Sequence, residues 1–472
     1  MNRQFAVQLL FFAAITSGNC ASSSSESKPT RAVNDERRAF PIDLPTALQL
    51  AGARNLDIQI AREKQIEALA NFDQALEQFF PWLSAGAIYR QHDNLLQDVQ
   101  GNIITVHKRS EAPGFAPTLQ VDLGDALYKS LKSHKLIRAA EFGLEAQRED
   151  TTLAVAQGYF DLVKAQAAVD VAQQSVAISE DYERQIHQAV EIGVAFEGDE
   201  LRVGVQTDRN RLALRQAVEQ QAFAGARLVE TLHLDSTVNL VARDTGLLVL
   251  KIANAHARFA GLVREALVSR PELKQSEKLA GAARDEKNGA LYGPILPSLG
   301  GQALFGKLGG GIEGQPSKFG NQEDYTAAIG WRIGPGGLFD VGRINAAQAR
   351  AKGAEFATGK VEDAVVRQVS EAIARVQSLE DQISIARRAL DQSEKALRLS
   401  RDRRQFDIAN VLENIQAEQD LTRARGDYFT VISEFNKAQY ALLKALGRLS
   451  APTAVKAHVE HERGARNDSE QK

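Results

Sequence analysis

The sequence predicts a mainly α-helical chain with a small β part, built from two tandem structural repeats. Three observations predict it. First, the order of signals is written twice. Pro81-Trp82-Leu83 follows one helical stretch and Pro297-Ser298-Leu299 follows another, and each is followed by a long Ala/Gln/Glu/Arg-rich run. A repeated order of elements fixes architecture before any site is sought. Second, no proline interrupts residues 133–192 or 340–405; about 60 residues at 1.5 Å rise give a helix of about 90 Å. Third, two segments switch to a period of two. Leu119, Val121 and Leu123 alternate with polar neighbours, as do Ala327, Ile329, Trp331 and Ile333, which is the pattern of half-buried strands.

The elements follow in order. Residues 1–20 read as a signal peptide, with Arg3 as the positive end and residues 5–15 as the apolar stretch. Cys20, the sole cysteine, precedes the polar run 21–28 as at a lipoprotein cleavage site, and is the candidate lipidation residue. Without a second cysteine no intramolecular disulfide forms. Residues 21–42 read as a Ser-rich linker.

The first repeat spans 43–235. It has a helix ending before Pro81, strands at 82–92 and 116–124, and a long helical hairpin whose tip is 193–199. Residues 236–258 join the repeats. The second repeat spans 259–450, with a helix, strands at 298–306 and 325–334, and a hairpin tip at 406–410. Polar, Gly-containing loops at 93–115 and 306–323 are expected to join the strands of each pair. Asp199 and Asn410 are candidate N-caps for the returning helices. Residues 451–472 read as a disordered tail. Narrow Ala-rich stripes, such as Ala165, Ala168, Val169, Ala172 and Val176, suit closely paired helices forming a wall rather than a thick core.

Composition excludes several classes. Net charge is −3, so no global field draws nucleic acid. There is no apolar run of about 20 residues, hence no membrane-spanning helix, although β-barrel strands leave little hydropathy signal. The eight histidines are scattered and, with one cysteine, give no zinc-site spacing. The Gly clusters at 309–311 and 334–337 match no nucleotide-binding loop. No catalytic, cofactor or metal constellation is found, and the chain is read as a non-enzyme.

Taken together, these residues are similar to the TolC family of bacterial outer-membrane efflux proteins over residues 43–450. The second repeat carries the resemblance in Arg270-Pro271-Glu272-Leu273, Pro297-Ser298-Leu299 and Leu338-Phe339-Asp340-Val341-Gly342-Arg343; the first carries it in Gly193 followed by Asp199. In the first repeat Leu56 stands where the family has proline, and the second tip has no glycine, although Asn410-Val411-Leu412-Glu413 resembles the family's motif. The resemblance implies a trimer in which each chain gives four strands to one 12-stranded barrel in the outer membrane of a Gram-negative bacterium. A long periplasmic α-helical barrel continues it. It also implies passive conduction of substrate, as the exit duct of a tripartite efflux or type I secretion system, opened by a periplasmic adaptor and an inner-membrane pump. Physics agrees, because four strands cannot close a barrel and open edges in lipid leave backbone groups unpaired. Segment 236–258 resembles the family's equatorial domain. The gate residues implied are Gly193, Asp199, Asp407, Asn410 and Glu413, with Arg403 and Arg404 near enough to pair with the acids. The competing reading is a periplasmic coiled-coil scaffold or adaptor without a pore.

Overall fold

The structure, a computed structural model, describes residues 38–235, 237–243, 247–312, 318–405 and 411–449. The signal segment with Cys20, the tail 451–472 and the second tip 406–410 lie outside them. The first repeat begins with β1 (Arg38–Ile42), α1 (Leu44–Arg54) and α2 (Leu56–Glu77). A hairpin of β2 (Trp82–Gln97) and β3 (Ile103–Asp122) leads into α3 (Leu123–Glu191) and the returning α4 (Glu197–Leu232). After β4 (Val238–Ala242) the second repeat gives α5 (Phe259–Ser269), α6 (Pro271–Tyr292), β5 (Ser298–Ile312) and β6 (Lys318–Gly330). It ends with α7 (Val341–Gln405) and α8 (Val411–Ala445).

Three boundaries differ from the sequence expectation, each for a physical reason. Residues 38–42 are not linker: they pair in parallel with β4, Phe40 opposite Leu240, and Ile42 is buried. The expected loops 93–115 and 306–323 are largely strand, since β2 and β3 stay paired out to Gln97 and Ile103. Residues 90–93 and their partners are polar on both faces and Leu95, Leu96, Ile103 and Ile104 lie beyond them, so period-two alternation is lost there while the ladder continues. Helix α3 starts ten residues before residue 133, at Leu123, and has 69 residues, a length of about 104 Å.

β2, β3, β5 and β6 form one antiparallel sheet in that order, so β2 and β6 are its edges. The β3–β5 ladder skips Ala112-Pro113 and Ala116-Pro117, because proline brings no N–H to a ladder.

The helices make a wall one layer thick. Each entry helix is broken: α1 from α2 at Asn55, α5 from α6 at Arg270. The same device serves both repeats. Asn55 caps α2 through its Oδ1 and donates from Nδ2 to the Thr231 carbonyl at 3.0 Å, at the end of α4. Arg270 reaches the Lys444 and Ala445 carbonyls at 3.5 Å, at the end of α8. Thus α4 runs on into α2, and α8 into α6, with helix dipoles head to tail. The joined pairs, 36 plus 22 and 35 plus 22 residues, run alongside most of the unbroken α3 and α7, of 69 and 65 residues.

Apolar cores gather at mid-height. One packs Ile42, Leu44, Tyr159, Leu162, Leu228, Leu232 and Leu240 with Tyr440 and Leu449; another packs Val365, Val369, Val376, Leu379 and Phe435 with Leu442. Where the sheet meets the helices, Gly124 of α3 lies against Gly293: a Cβ on Gly124 would stand 2.0 Å from the Gly293 carbonyl oxygen. Gly124→Ala is therefore expected to force these backbones apart and cost about 1–3 kcal/mol, as overpacking does, read as a lower unfolding temperature.

Candidate functional site

Two regions carry functional geometry, the sheet and the far end of the helices. Residues opposite each other in an antiparallel ladder share a face. One face holds Leu83, Pro117, Ala303 and Tyr325 in one row, then Leu119, Gly301 and Ala327, then Val121, Leu299 and Ile329. The apolar stretch steps along the strands from Leu83–Tyr89 on β2 to 325–333 on and beyond β6, as it must when strands tilt against a membrane. Tyr89, Phe115, Phe305 and Tyr325 bound it on one side; Phe115 stacks on Phe305, and Phe305 meets Tyr325 edge-on. Such an apolar band with an aromatic rim is what lipid-facing barrel strands present. The opposite face carries Thr118, Gln302, Thr326, Gln120 and Asp324, and Gln302 donates to the Thr118 hydroxyl at 3.2 Å.

At the far end, α3 stops where Gly193 turns left-handed, at φ +78°, a conformation glycine adopts without cost. The Val194 and Ala195 amides return to the Ala189 carbonyl. Asp199 is not an N-cap: Phe196 holds that position without a side-chain bond, and Asp199 sits in the first turn beside Glu197 and Glu200, where the helix dipole favours acids. Asp199 pairs with Arg202 of its own helix at 3.1 Å. His187 of α3 meets Glu200 of α4 at 2.7 Å, which holds the imidazole's pKa above its usual value. Beyond this clasp Ile192, Val194 and Phe196 are exposed, Phe196 at 83%.

Glu413 lies in the first turn of α8. The start of α8 is level with the first tip, because Ile415 packs with Tyr182, Ile186 and Val203. Asp407 and Asn410 fall outside the described residues. Arg403 and Arg404 lie on the last turn of α7, with side chains outside the description. Among the described residues no group of three or more His, Cys, Asp or Glu side chains is placed to hold a metal. No helix among them is long and apolar enough to cross a membrane.

One constellation near the tip escaped the sequence reading. Between the two hairpins lies a polar seam: Ser175–Thr422, Asn210–Glu418 and Gln206–Gln419, at 2.8, 3.2 and 2.7 Å. Glu418 is 2% exposed, and burial pushes its carboxyl up to about 7. Its signal in the sequence is a glutamate within the stripe 414, 417, 421 and 424 that α8 buries.

The comparisons agree with this geometry. Residues 262–448 match the family described as outer membrane efflux protein. A membrane protein from Pseudomonas aeruginosa superposes with TM-score 0.74 at 19% identity, over 91% of this chain and 100% of that one. The outer membrane protein VceC from Vibrio cholerae superposes at 0.72 and 16%, over 86% and 96%. The CmeC outer membrane channel of Campylobacter jejuni does so at 0.69 and 14%, over 94% and 97%. No curated protein matches the sequence. The second repeat is thus similar in sequence to the outer membrane efflux protein family, and both repeats share the fold of these solved structures.

Proposed function

We propose that the protein is the outer-membrane exit duct of a tripartite efflux or type I secretion system, conducting substrate passively from periplasm to exterior. The observation that carries it is the four-stranded sheet with one apolar face, one polar face and two open edges, fused to helices of about 100 Å. In lipid the unpaired edges β2 and β6 are untenable. β6 of one copy beside β2 of the next keeps the antiparallel alternation, and three copies make a 12-stranded ring with polar residues inside. Solved structures with this fold include outer membrane channels, one of them in an open state. A scaffold without a pore has no use for the lipid-type face.

The helix tips serve as the entrance. Asp199 and Glu413, with Asp407 and Asn410, are the candidate gate lining, and Arg403 and Arg404 the candidate counter-charges. Gly193 shapes the turn that presents them. A periplasmic adaptor fits the tip: Leu201, Val205 and Leu412 are exposed beside Ile415, with Arg202 and Arg209 in the same groove. The chemistry suits an amphipathic helix with acidic flanks. Cys20 is the candidate site of a lipid anchor.

The test is conductance in planar bilayers. Wild type is expected to give small, mostly closed currents, and Phe196→Gly with Asp199→Ala larger and more persistent ones. Absence of current in both, at protein levels that insert, overturns the duct.

A further inference from the structure

We infer that Glu418 is a proton-operated latch between the two hairpins: protonated, it lets α8 stay packed on α4 near the tip, and ionised, it drives this seam open. The inference rests on the duct reading for its consequence, but on the seam for its mechanism.

Apolar contacts occur within the hairpins, as at Val203 with Ile186 and Leu397 with Leu421, and also across them, as at Ile415 with Tyr182 and Tyr440 with Phe160. Between hairpins, α8 meets α3 and α4 through a ladder of polar rungs. Lys444–Asp150 and Lys437–Asp161 lie toward mid-height. Arg425–Gln174 and Ser175–Thr422 follow toward the tip, then Asn210–Glu418 and Gln206–Gln419. Polar rungs re-form after a slide or exchange for water at little net cost. An interlocked apolar seam does not. The polar stretch between Ile415 and the mid-height core is therefore where this seam parts at least cost.

Glu418 is the rung that does not balance. Its Oε1 accepts from Asn210, while Oε2 is buried without a hydrogen-bond partner. Nearby on the same face of α8, Asn414 Oδ1 is also buried and unpartnered, as is Ser400 Oγ on α7. A protonated carboxyl supplies a donor where Asn414 Oδ1 leaves an acceptor unused and the Ser400 hydroxyl can accept as well as donate; an ionised one supplies only a charge. Among the described residues the groups facing it are few. From α4 come Asn210 and Gln206, from α3 Ser175, all uncharged. From α7 comes Arg401, whose charge acts on Glu418 less than burial and Asn210 do. Among the described residues no guanidinium pairs with it, unlike Glu272 with Arg270.

The direction follows from linkage. Packed, Glu418 holds its proton up to about 7; released to water, it returns toward its ordinary 4.5. Below pH 4.5 both states are protonated and the packed seam is fully favoured. Between 4.5 and 7 the parted seam gains with each pH unit. Above 7 both states are ionised and the dependence stops. The span of 2.5 units corresponds to a shift of about 300-fold in the packed-to-parted ratio per protomer.

The test pairs hydrogen exchange with conductance on the full chain, from pH 4.5 to 8, for wild type, Glu418→Gln and, as a control at the other buried acid, Glu149→Gln. After correction for the intrinsic pH dependence of exchange, protection of residues 203–212 and 414–424 is expected to fall with rising pH in wild type and in E149Q. Open probability is expected to rise over the same window. In E418Q, whose amide stays neutral, both are expected to remain at the acid-pH level throughout. Exchange that follows Glu418 without current at any pH would uphold the latch and remove the duct. Wild-type pH dependence in E418Q, with E418Q still assembled, overturns the latch.

Discussion

Arg270→Ala is expected to be the most damaging single substitution in the wall, lowering stability by about 3–5 kcal/mol, the cost of breaking a buried ion pair from one side. The guanidinium is 3% exposed. It holds Glu272 with two bonds of 3.0 and 2.9 Å and Gln368 with one of 2.8 Å. It also closes the last carbonyls of α8 where α6 begins. Removing it leaves a carboxylate, an amide and a helix end unpaired together. The effect spreads to Glu149, which is already pushed up to about 7 by burial, with the Glu272 charge adding to the push and Arg270 opposing it. Without Arg270 that carboxyl rises further, so the variant loses most at neutral and alkaline pH and least in acid. Arg270→Lys is not expected to rescue, since an ammonium cannot fork between Glu272 and Gln368 while reaching two carbonyls. Thermal unfolding at pH 5 and pH 8 reads both the size and the direction.

The second large effect is expected from Ala327→Arg, and its neighbour is the control. Ala327 lies on the apolar face, in the row with Leu119 and Gly301. A guanidinium at the bilayer midplane costs about 2–4 kcal/mol, and a ring of three repeats that cost in every copy. Thr326 is one residue away and faces the other side, in the row of Gln302 and Thr118. Thr326→Arg is expected to leave assembly intact and shift conduction toward anions. Heat-resistant oligomer on a gel separates the two, and reversal potentials in asymmetric salt report the second. Equal loss of oligomer in both would mean that neither face is lumenal.

Much of this was legible in the sequence, for identifiable reasons. The long helices announced themselves because proline is absent and turn signals are concentrated at Gly193. The inner halves of the strands were legible because lipid on one side and water on the other enforce alternation, as at Leu119 and Val121. Their outer halves were not, because Gln91 and Asp93 on one face and Arg90 and His92 on the other are all polar while the ladder continues. β1 was missed because five residues beside a charged run carry no period. Its pairing with β4, about 200 residues on in sequence, is a contact no local pattern encodes. The proline signature at the helix breaks was visible at Pro271. Its purpose, Asn55 and Arg270 fastening two helices end to end, needed partners from α4 and α8. Asp199 looked like an N-cap by type and spacing, yet the turn starts its helix two residues earlier, so the acid serves the dipole and Arg202 instead. Glu418 was hidden because a glutamate in a charged helix reads as a solvated face. Only the neighbouring hairpin buries it.

The central claim is that two open strand edges per chain compel three chains to close one barrel. Native mass spectrometry of protein extracted in mild detergent tests it most directly. A single dominant species of three chains that persists on dilution is expected. A monomer or dimer, stable and fully folded after the same extraction, would contradict it.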